Sequence, residues 1–346
     1  MFVNVKLPVQ PQTTREKLAR IDYLGSFTLV IGVGAFLLAV TLIGSEGLPW
    51  IHPLVLGLFT SSGVFITAFI TVENFVSKEP IVPLRLLREK TPLAIAVVNL
   101  TVFFVSYSLM YNVPVYFIAV RLKSSETAGL HLLPYSVAVA LGSGVAGLYM
   151  KAFGKFYYYT LMSASVFVIS SFLMALWKDS TSSLHLWGDV ALSGFGMVSL
   201  ATTTIVALIA SVDREDVAVA TGIAFTFRTT GQVLGVSLSG TLLQSQLVKH
   251  LRERITGAEA ERIIETIRHS TTTIPRLDPP IRQAAIESYA LSLRVVFWVQ
   301  TGVALVTFLA CLTIEENPLP DTMAEQAKQD GERRRRRSEA QDASGS

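Results

Sequence analysis

One arginine in the middle of an apolar run is the residue of this sequence best placed to do chemistry. Arg228 lies well inside the run 217–243, and a charge at such a depth costs about 2.5–3.5 kcal/mol even on the mildest insertion scale. Steps of three and four residues place further side chains on the same helical face: Thr221, Phe225, Gln232, Gly235 and Ser239. Buried membrane charges usually face an internal cavity, so Arg228, Thr221 and Gln232 are candidate substrate-pathway or gating residues. A structural role stays open, in which Arg228 binds backbone carbonyls of a neighbouring helix.

A second set of polar residues interrupts the run 93–117, which is otherwise rich in phenylalanine and valine. The set consists of Asn99, Tyr107, Tyr111 and Asn112. These side chains are candidates to line a pathway together with Arg228, although single Asn and Tyr residues in membrane helices also form hydrogen bonds between helices. Pro114 lacks a backbone N–H and is expected to loosen the helix near one end of the run.

Glycines mark positions where helices can approach closely. Gly231 and Gly235 are four residues apart, as small residues are at tight helix contacts in membranes. Gly142 and Gly144 give another run the same character. The order Gly142-x-Gly144-x-x-Gly147 resembles a nucleotide-binding fingerprint only superficially, because no strand precedes it. We therefore predict helix packing for these glycines.

The chemistry that the sequence lacks narrows its function. No Asp or Glu lies deep in an apolar run, since Asp22, Glu73 and Asp189 fall near run ends. Proton-driven carriers commonly relay protons through buried carboxylates, so no such relay is expected in the membrane interior of this chain. Nucleotide-binding loops, metal-ligand clusters and hydrolase motifs are also missing from the sequence. We predict no enzymatic activity, no cofactor, no metal and no nucleic-acid partner.

Eight apolar runs must position these residues. A hydrocarbon core about 30 Å thick is crossed by about 20 residues of helix, and the runs have that length: residues 23–43, 53–72, 93–117, 128–150, 156–177, 187–210, 217–243 and 295–314. The chain is 51% hydrophobic and 16% charged, whereas soluble domains carry about 25% charged residues. The runs do not alternate as barrel strands do. The sequence therefore predicts an all-α polytopic protein in the lipid bilayer, with about eight transmembrane helices.

Basic residues are distributed unevenly among the connections between runs. Lys and Arg concentrate in short cytoplasmic loops, and when the connections are assigned alternately to two sides, most basic residues fall on one side. That side holds both ends of the chain, including five arginines at 333–337. Trp favours the membrane interface, and all four tryptophans fall at run ends on the opposite side: Trp50, Trp177, Trp187 and Trp298. Both termini are therefore expected to be cytoplasmic.

The runs divide the chain into consecutive parts. A cytoplasmic segment at 1–20 precedes two transmembrane helices at 21–72, a cytoplasmic linker at 73–91 and a six-helix block at 92–314. Within the block, the non-cytoplasmic loop 244–294 contains an amphipathic piece, which is expected to form a cap on the membrane surface. A dedicated binding domain is the alternative there. The tail at 315–346 is polar and basic, a composition typical of disorder.

Five short motifs, in their order along the chain, resemble the major facilitator superfamily. The resemblance is to its fungal fourteen-span drug:proton antiporter branch, and within that branch to the vacuolar basic amino acid transporters. The motifs are RIDYLG at 20–25, EPIVPLRLL at 79–87, AGLHLLP at 128–134, GLYMKAFGK at 147–155 and FRTTGQVLG at 227–235. Gly147, Lys151, Gly154 and Lys155 resemble a degraded copy of the superfamily's cytoplasmic loop motif.

The resemblance implies two linker helices followed by the six-helix carboxyl-terminal half of such a carrier, with the amino-terminal half missing. Such carriers bind substrate between two halves that rock around it. The implied function is secondary active, proton-coupled transport of small solutes, such as basic amino acids, drugs or toxins, across a vacuolar or plasma membrane. The alternative is a truncated, non-transporting scaffold or regulatory partner of a full-length relative.

Overall fold

The fold is a bundle of long helices, as the sequence predicts. The computed structural model describes residues 22–45, 48–75, 84–178, 180–213, 216–257 and 259–316. All regular structure in these ranges is helical, which confirms the all-α prediction. The elements are α1 (Tyr23–Ser45), α2 (Pro53–Phe75), α3 (Leu84–Leu87), α4 (Lys90–Ala119), α5 (Ser125–Leu130), α6 (Leu133–Phe153), α7 (Tyr157–Ala175), α8 (Ser183–Ser211), α9 (Val217–Arg254), α10 (Ala260–His269), a 3-10 turn (Thr271–Arg276) and α11 (Pro279–Leu312).

Seven spans within the described ranges are long and apolar enough to cross a membrane: Tyr23–Ile43, Pro53–Phe75, Lys90–Ala119, Ser125–Phe153, Tyr157–Ala175, Ser183–Ser211 and Pro279–Leu312. The remaining predicted run, 217–243, lies in α9. This helix is more polar because Thr, Gln and Arg residues occupy its middle and Arg252 and Arg254 its last turn. It nevertheless packs against the spanning helices α4 and α11.

Helix α4 is the centre of the bundle. It packs most extensively against α9, and it also contacts α8 and α11. About two thirds of its most apolar stretch is buried inside the protein. Helices α6, α7 and α8 form the other side of the bundle. Helices α1 and α2 pair with each other, and α1 contacts α9, where the Thr241 hydroxyl donates to the Val40 carbonyl at 3.0 Å.

Two glycines explain why α4 and α9 approach so closely. A Cβ added at Gly231 would overlap the carbonyl oxygen of Leu100, and one added at Gly235 would overlap that of Phe104. Small residues in membrane helices allow such backbone-to-backbone contact, and dispersion forces then replace the hydrophobic effect that lipid removes. The GxxxG spacing therefore sets the distance between the two central helices.

Two predicted helices differ from expectation near proline. Run 128–150 is not one helix, because α5 ends at Leu130 and α6 begins at Leu133 with Pro134 in its first turn, a position where the missing N–H of proline is harmless. By contrast, α4 continues through Pro114 to Ala119. The expected loosening does not end this helix, which is buried against its neighbours.

The stretch 244–294, which we call the cap, is more helical than the sequence analysis predicts. Helix α9 runs on to Arg254, and α11 already begins at Pro279. The continuation of α9 has a clear cause, because Leu243, Leu247 and Leu251 follow at intervals of four residues and all three are buried.

Helix α10 of the cap packs against other helices of the protein. The apolar side of α10 is buried, with Ile264 and Ile267 only 3% and 0% exposed. The Tyr289 hydroxyl of α11 donates to the Ile267 carbonyl at 3.1 Å. The hydrophobic face of α10 therefore packs against α9 and α11.

At the opposite end of the bundle, the short helix α3 anchors the chain just before α4. Leu86 of α3 is buried in the core shared by α4, α8 and α9, and Arg85 forms an ion pair with Asp216 just before α9. The predicted segments 1–20 and 317–346, the linker residues 76–83 and Arg214 lie outside the described residues.

Candidate functional site

The side chain of Arg228 is half-buried and reaches from α9 to α4. Its Nη2 donates a hydrogen bond to Oδ1 of Asn99 at 3.3 Å. The guanidinium carbon lies 4.4 Å from the ring centre of Phe103 and 4.7 Å from that of Phe225. We call these four residues the arginine site. The partner of Arg228 on α4 is thus a side chain and not a backbone carbonyl.

The charge of Arg228 is only partly compensated at this site. Cation–π contacts contribute about 0.5–2 kcal/mol each, more when water is excluded, and rings offer no hydrogen-bond acceptor. Arg228 Nε is buried without a hydrogen-bond partner among the described residues. No carboxylate in those same ranges forms an ion pair with Arg228. The site therefore retains positive charge and unused N–H donors.

Asn99 is held in place by its own helix. Its side chain is 1% exposed, and its Nδ2 donates to the Ile95 carbonyl at 2.9 Å. This bond turns Oδ1 toward Arg228. Tyr107, two turns further along α4, is half-buried and near enough to Arg228 for an electrostatic interaction.

Asn112 lies apart from the arginine site. It lies thirteen residues after Asn99 on α4, about 20 Å along the helix axis. Its Nδ2 donates to Ser239 Oγ at 2.9 Å and to the Ser108 carbonyl at 2.7 Å. Gln300 of α11 donates to Ser108 Oγ at 2.6 Å. This amide cluster ties α4, α9 and α11 together in the interior of the bundle.

The other predicted pathway residues are dispersed. Tyr111 is 39% exposed and lies beside Gly240 of α9. The Thr221 hydroxyl donates to the Val217 carbonyl of its own helix at 2.7 Å, and Gln232 is half-buried on α9. Of the six other residues predicted for the pathway, only Asn99 is hydrogen-bonded to Arg228.

Sequence reasoning missed Phe103, Ser108 and Gln300. Gln300 could have been found, because it is a polar residue in the middle of the last apolar run. Ser108 lies four residues before Asn112, a spacing that brings side chains together on a helix. Phe103 gave no such signal, since phenylalanine is frequent throughout its run.

The glycines and the loop motif have distinct surroundings. A Cβ at Gly142 would lie 2.7 Å from Val198 Cγ1, whereas at Gly144 no other part of the described chain comes within 4 Å. The close packing expected at Gly144 is thus not made by residues that the structure describes. The predicted loop motif Gly147, Lys151, Gly154 and Lys155 lies at the end of α6, where Gly154 caps the helix with φ of 62°.

One carboxylate is more buried than its position in the sequence suggests. Asp189, near the start of α8, is 6% exposed. Its Oδ2 accepts a hydrogen bond from Nε1 of Trp177 at 2.9 Å. Asp189 lies in the first turns of α8, so the interior of that span still contains no acidic residue.

Comparisons with known proteins agree with this architecture. Residues 5–120 match the family described as "Fungal trichothecene efflux pump (TRI12)". The chain is 33% identical over 320 residues to "Multidrug resistance protein fnx1" of Schizosaccharomyces pombe, covering 91% of this chain and 60% of that protein. The chain is therefore similar to transporters of the major facilitator superfamily. This confirms the resemblance carried by the five sequence motifs.

Further similarities fit the same family. The chain is 24% identical to "Vacuolar basic amino acid transporter 2" of Saccharomyces cerevisiae, over 93% of this chain and 71% of that protein. Its fold is similar to that of a bacterial homologue of the human lysosomal transporter Spinster, solved inward-facing and occupied, with a TM-score of 0.50 and 15% identity over 84% of this chain and 65% of that one. Against fnx1 and four other fungal relatives, the chain spans 52–60% of their length.

Proposed function

We propose that this chain is the carboxyl-terminal portion of a secondary transporter that moves small organic solutes across a fungal vacuolar or plasma membrane. The observation that carries the proposal is the arginine site. A charge in a membrane interior without a described counter-ion is energetically costly. A role in substrate contact or gating explains why the charge is present. The named relatives, which include efflux pumps and vacuolar amino acid transporters, support the same class of function.

The proposal includes alternating access, proton coupling and cytoplasmic termini. The interior of the described spans contains no carboxylate that could relay a proton, so the coupling group would come from outside this part of the chain. Basic amino acids and amphipathic drugs or toxins are the proposed cargo. The names of the relatives support both groups.

A flux assay on the complete carrier, with this chain as its carboxyl-terminal portion, tests the proposal. We expect the purified carrier in liposomes to take up radiolabelled lysine when a proton gradient is imposed, and a protonophore to abolish the uptake. Exchanging Arg228→Gln should lower uptake at least tenfold at equal protein incorporation. Lys249→Gln is the matched control, since Lys249 is an exposed cation on the same helix. Uptake that is unchanged in Arg228→Gln, or absent for every lysine, arginine and drug probe in the wild-type carrier, contradicts the proposal.

A second candidate function is that of a non-transporting partner of a full-length relative. The observation that favours it is an open face on α6, where small residues follow at helical spacing and are all exposed: Ser136, Ala140, Ser143, Gly144 and Gly147. Such small-residue stripes suit close contact between membrane helices. Co-purification with a full-length carrier at fixed stoichiometry, lost on exchanging Gly144→Leu, would support this function. A monodisperse chain with its own flux would eliminate it.

A further inference from the structure

Arg228 has more hydrogen-bond donors than its described surroundings use. A guanidinium carries five N–H donors in a planar fork. One of them meets Asn99 Oδ1 at 3.3 Å, a long bond for a charged donor. Nε has no partner among the described residues, although it is buried. The group is therefore set up to bind a further acceptor.

The shape of the site selects the kind of acceptor. Phe103 is 7% exposed and Phe225 is 48% exposed, so one ring closes the site from inside and the other lies at the surface of the bundle. Both rings lie within 5 Å of the guanidinium carbon and restrict its motion without occupying its N–H groups. A planar anion with two oxygens matches the guanidinium fork, and a carboxylate is the organic group with that geometry.

The charge balance points the same way. An amine or other cation would be repelled by Arg228, and no acidic side chain lies in the interior of the described spans to offset that repulsion. A carboxylate removes the net charge from the site. Neutralisation is worth more in the membrane interior than in water, because the Coulomb energy rises as the dielectric constant falls.

We propose that the arginine site binds the carboxylate group of the transported solute, with Asn99 as the residue that positions Arg228. This inference rests on the proposed transport function and specifies its substrate class. For a basic amino acid, this part of the carrier would recognise the carboxylate common to all amino acids and not the cationic side chain. Selectivity for the cation would then reside in residues outside the described spans.

The test compares ligands that differ in the carboxylate alone. The probes are lysine with its decarboxylated form cadaverine, and indole-3-acetate with tryptophol. Ligand-induced thermal stabilisation of the purified whole chain in detergent measures binding without requiring flux. We expect the carboxylate of at least one pair to raise the melting temperature at concentrations at least tenfold lower than its partner does. Arg228→Gln should abolish this difference, Arg228→Lys should retain part of it, and Lys249→Gln should leave it intact.

Each other outcome overturns the inference. Equal effects of the two members of both pairs on the wild-type chain show that the carboxylate is not recognised. A carboxylate effect that persists in Arg228→Gln places the binding elsewhere. If Arg228 instead pairs with a carboxylate of the protein itself, Arg228→Gln without ligand should melt at a different temperature from the wild type. In that case no ligand should shift the melting temperature of the wild type or of the variant. Because flux is measured separately, transport without this ligand pattern leaves the proposed function standing and removes only the carboxylate assignment.

Discussion

Two amides on one helix have different tasks although the sequence presents them alike. Asn99 and Asn112 both interrupt the apolar surface of α4 and both are almost fully buried. Asn99 donates only to its own backbone and offers its oxygen to Arg228, whereas Asn112 links α4 to Ser239 of α9. The first therefore serves the candidate site, and the second serves helix association.

We predict that the Asn112–Ser239 bond has a modest energy. Hydrogen bonds between membrane helices average about 0.6 kcal/mol and reach about 1.7 kcal/mol, because the unfolded chain in lipid also finds partners. A double-mutant cycle with Asn112→Ala and Ser239→Ala should give a coupling free energy of that size. The measurement is the free energy of unfolding in mixed micelles.

The control for this cycle is Ser292→Ala. Ser292 is fully buried in α11, and its hydroxyl donates to a carbonyl of its own helix. Combined with Asn112→Ala, this exchange should be additive. Coupling as large as that of the Asn112–Ser239 pair would show that the measured energy reflects general loosening of the bundle.

At the scale of elements, the contact between α4 and α9 depends on glycine. We expect Gly235→Ala to lower the free energy of unfolding by about 1–3 kcal/mol, the usual cost of overpacking, because the new methyl group meets the backbone at Phe104. Gly222→Ala on the same helix meets no described atom within 4 Å. It should be neutral or stabilise the chain by up to about 1 kcal/mol through helix propensity. Thermal unfolding in detergent distinguishes the two, and equal effects would contradict this packing.

Most of the helices could be predicted because a membrane-spanning helix is recognised in a sequence by its length and its apolar composition. All eight runs correspond to long helices, with the break before α6 as the main exception. The ends of α9 and α11 could not be predicted in the same way. Their continuations into the cap are amphipathic, so their stability comes from burial of Leu247, Leu251 and Tyr289 against protein. A search for continuous apolar runs detects segments that cross lipid and does not detect such amphipathic segments.

The site was less predictable than the helices for a related reason. A polar residue in an apolar run signals that a partner exists, but the partner lies on another helix. The spacing of α9 placed Ser239 and Gly235 on the face of Arg228, yet nothing local connected Arg228 to Phe103 or Ser108 to Gln300. Those contacts follow from how α4 rotates against its neighbours, which only the packed bundle defines.

At the scale of the whole molecule, the distribution of basic residues predicts one orientation in the membrane. Cys311 is the sole cysteine and is fully buried, so the folded wild-type chain should not react with an impermeant maleimide. We expect Thr272→Cys, exposed in the cap, to react from the non-cytoplasmic side only. Lys155→Cys, exposed after α6, should react only from the cytoplasmic side. Labelling in sealed vesicles of known orientation checks this, and the reverse pattern would invert the topology.

The length of α9 has a mechanical consequence. Its 38 residues span about 57 Å without a break, whereas the hydrocarbon core is about 30 Å thick. Arg228 and the salt-bridged residues of the cap, Arg252 and Arg254, are therefore carried by one rod. Because α9 is continuous, a tilt of this helix that displaced the cap would also displace the arginine site.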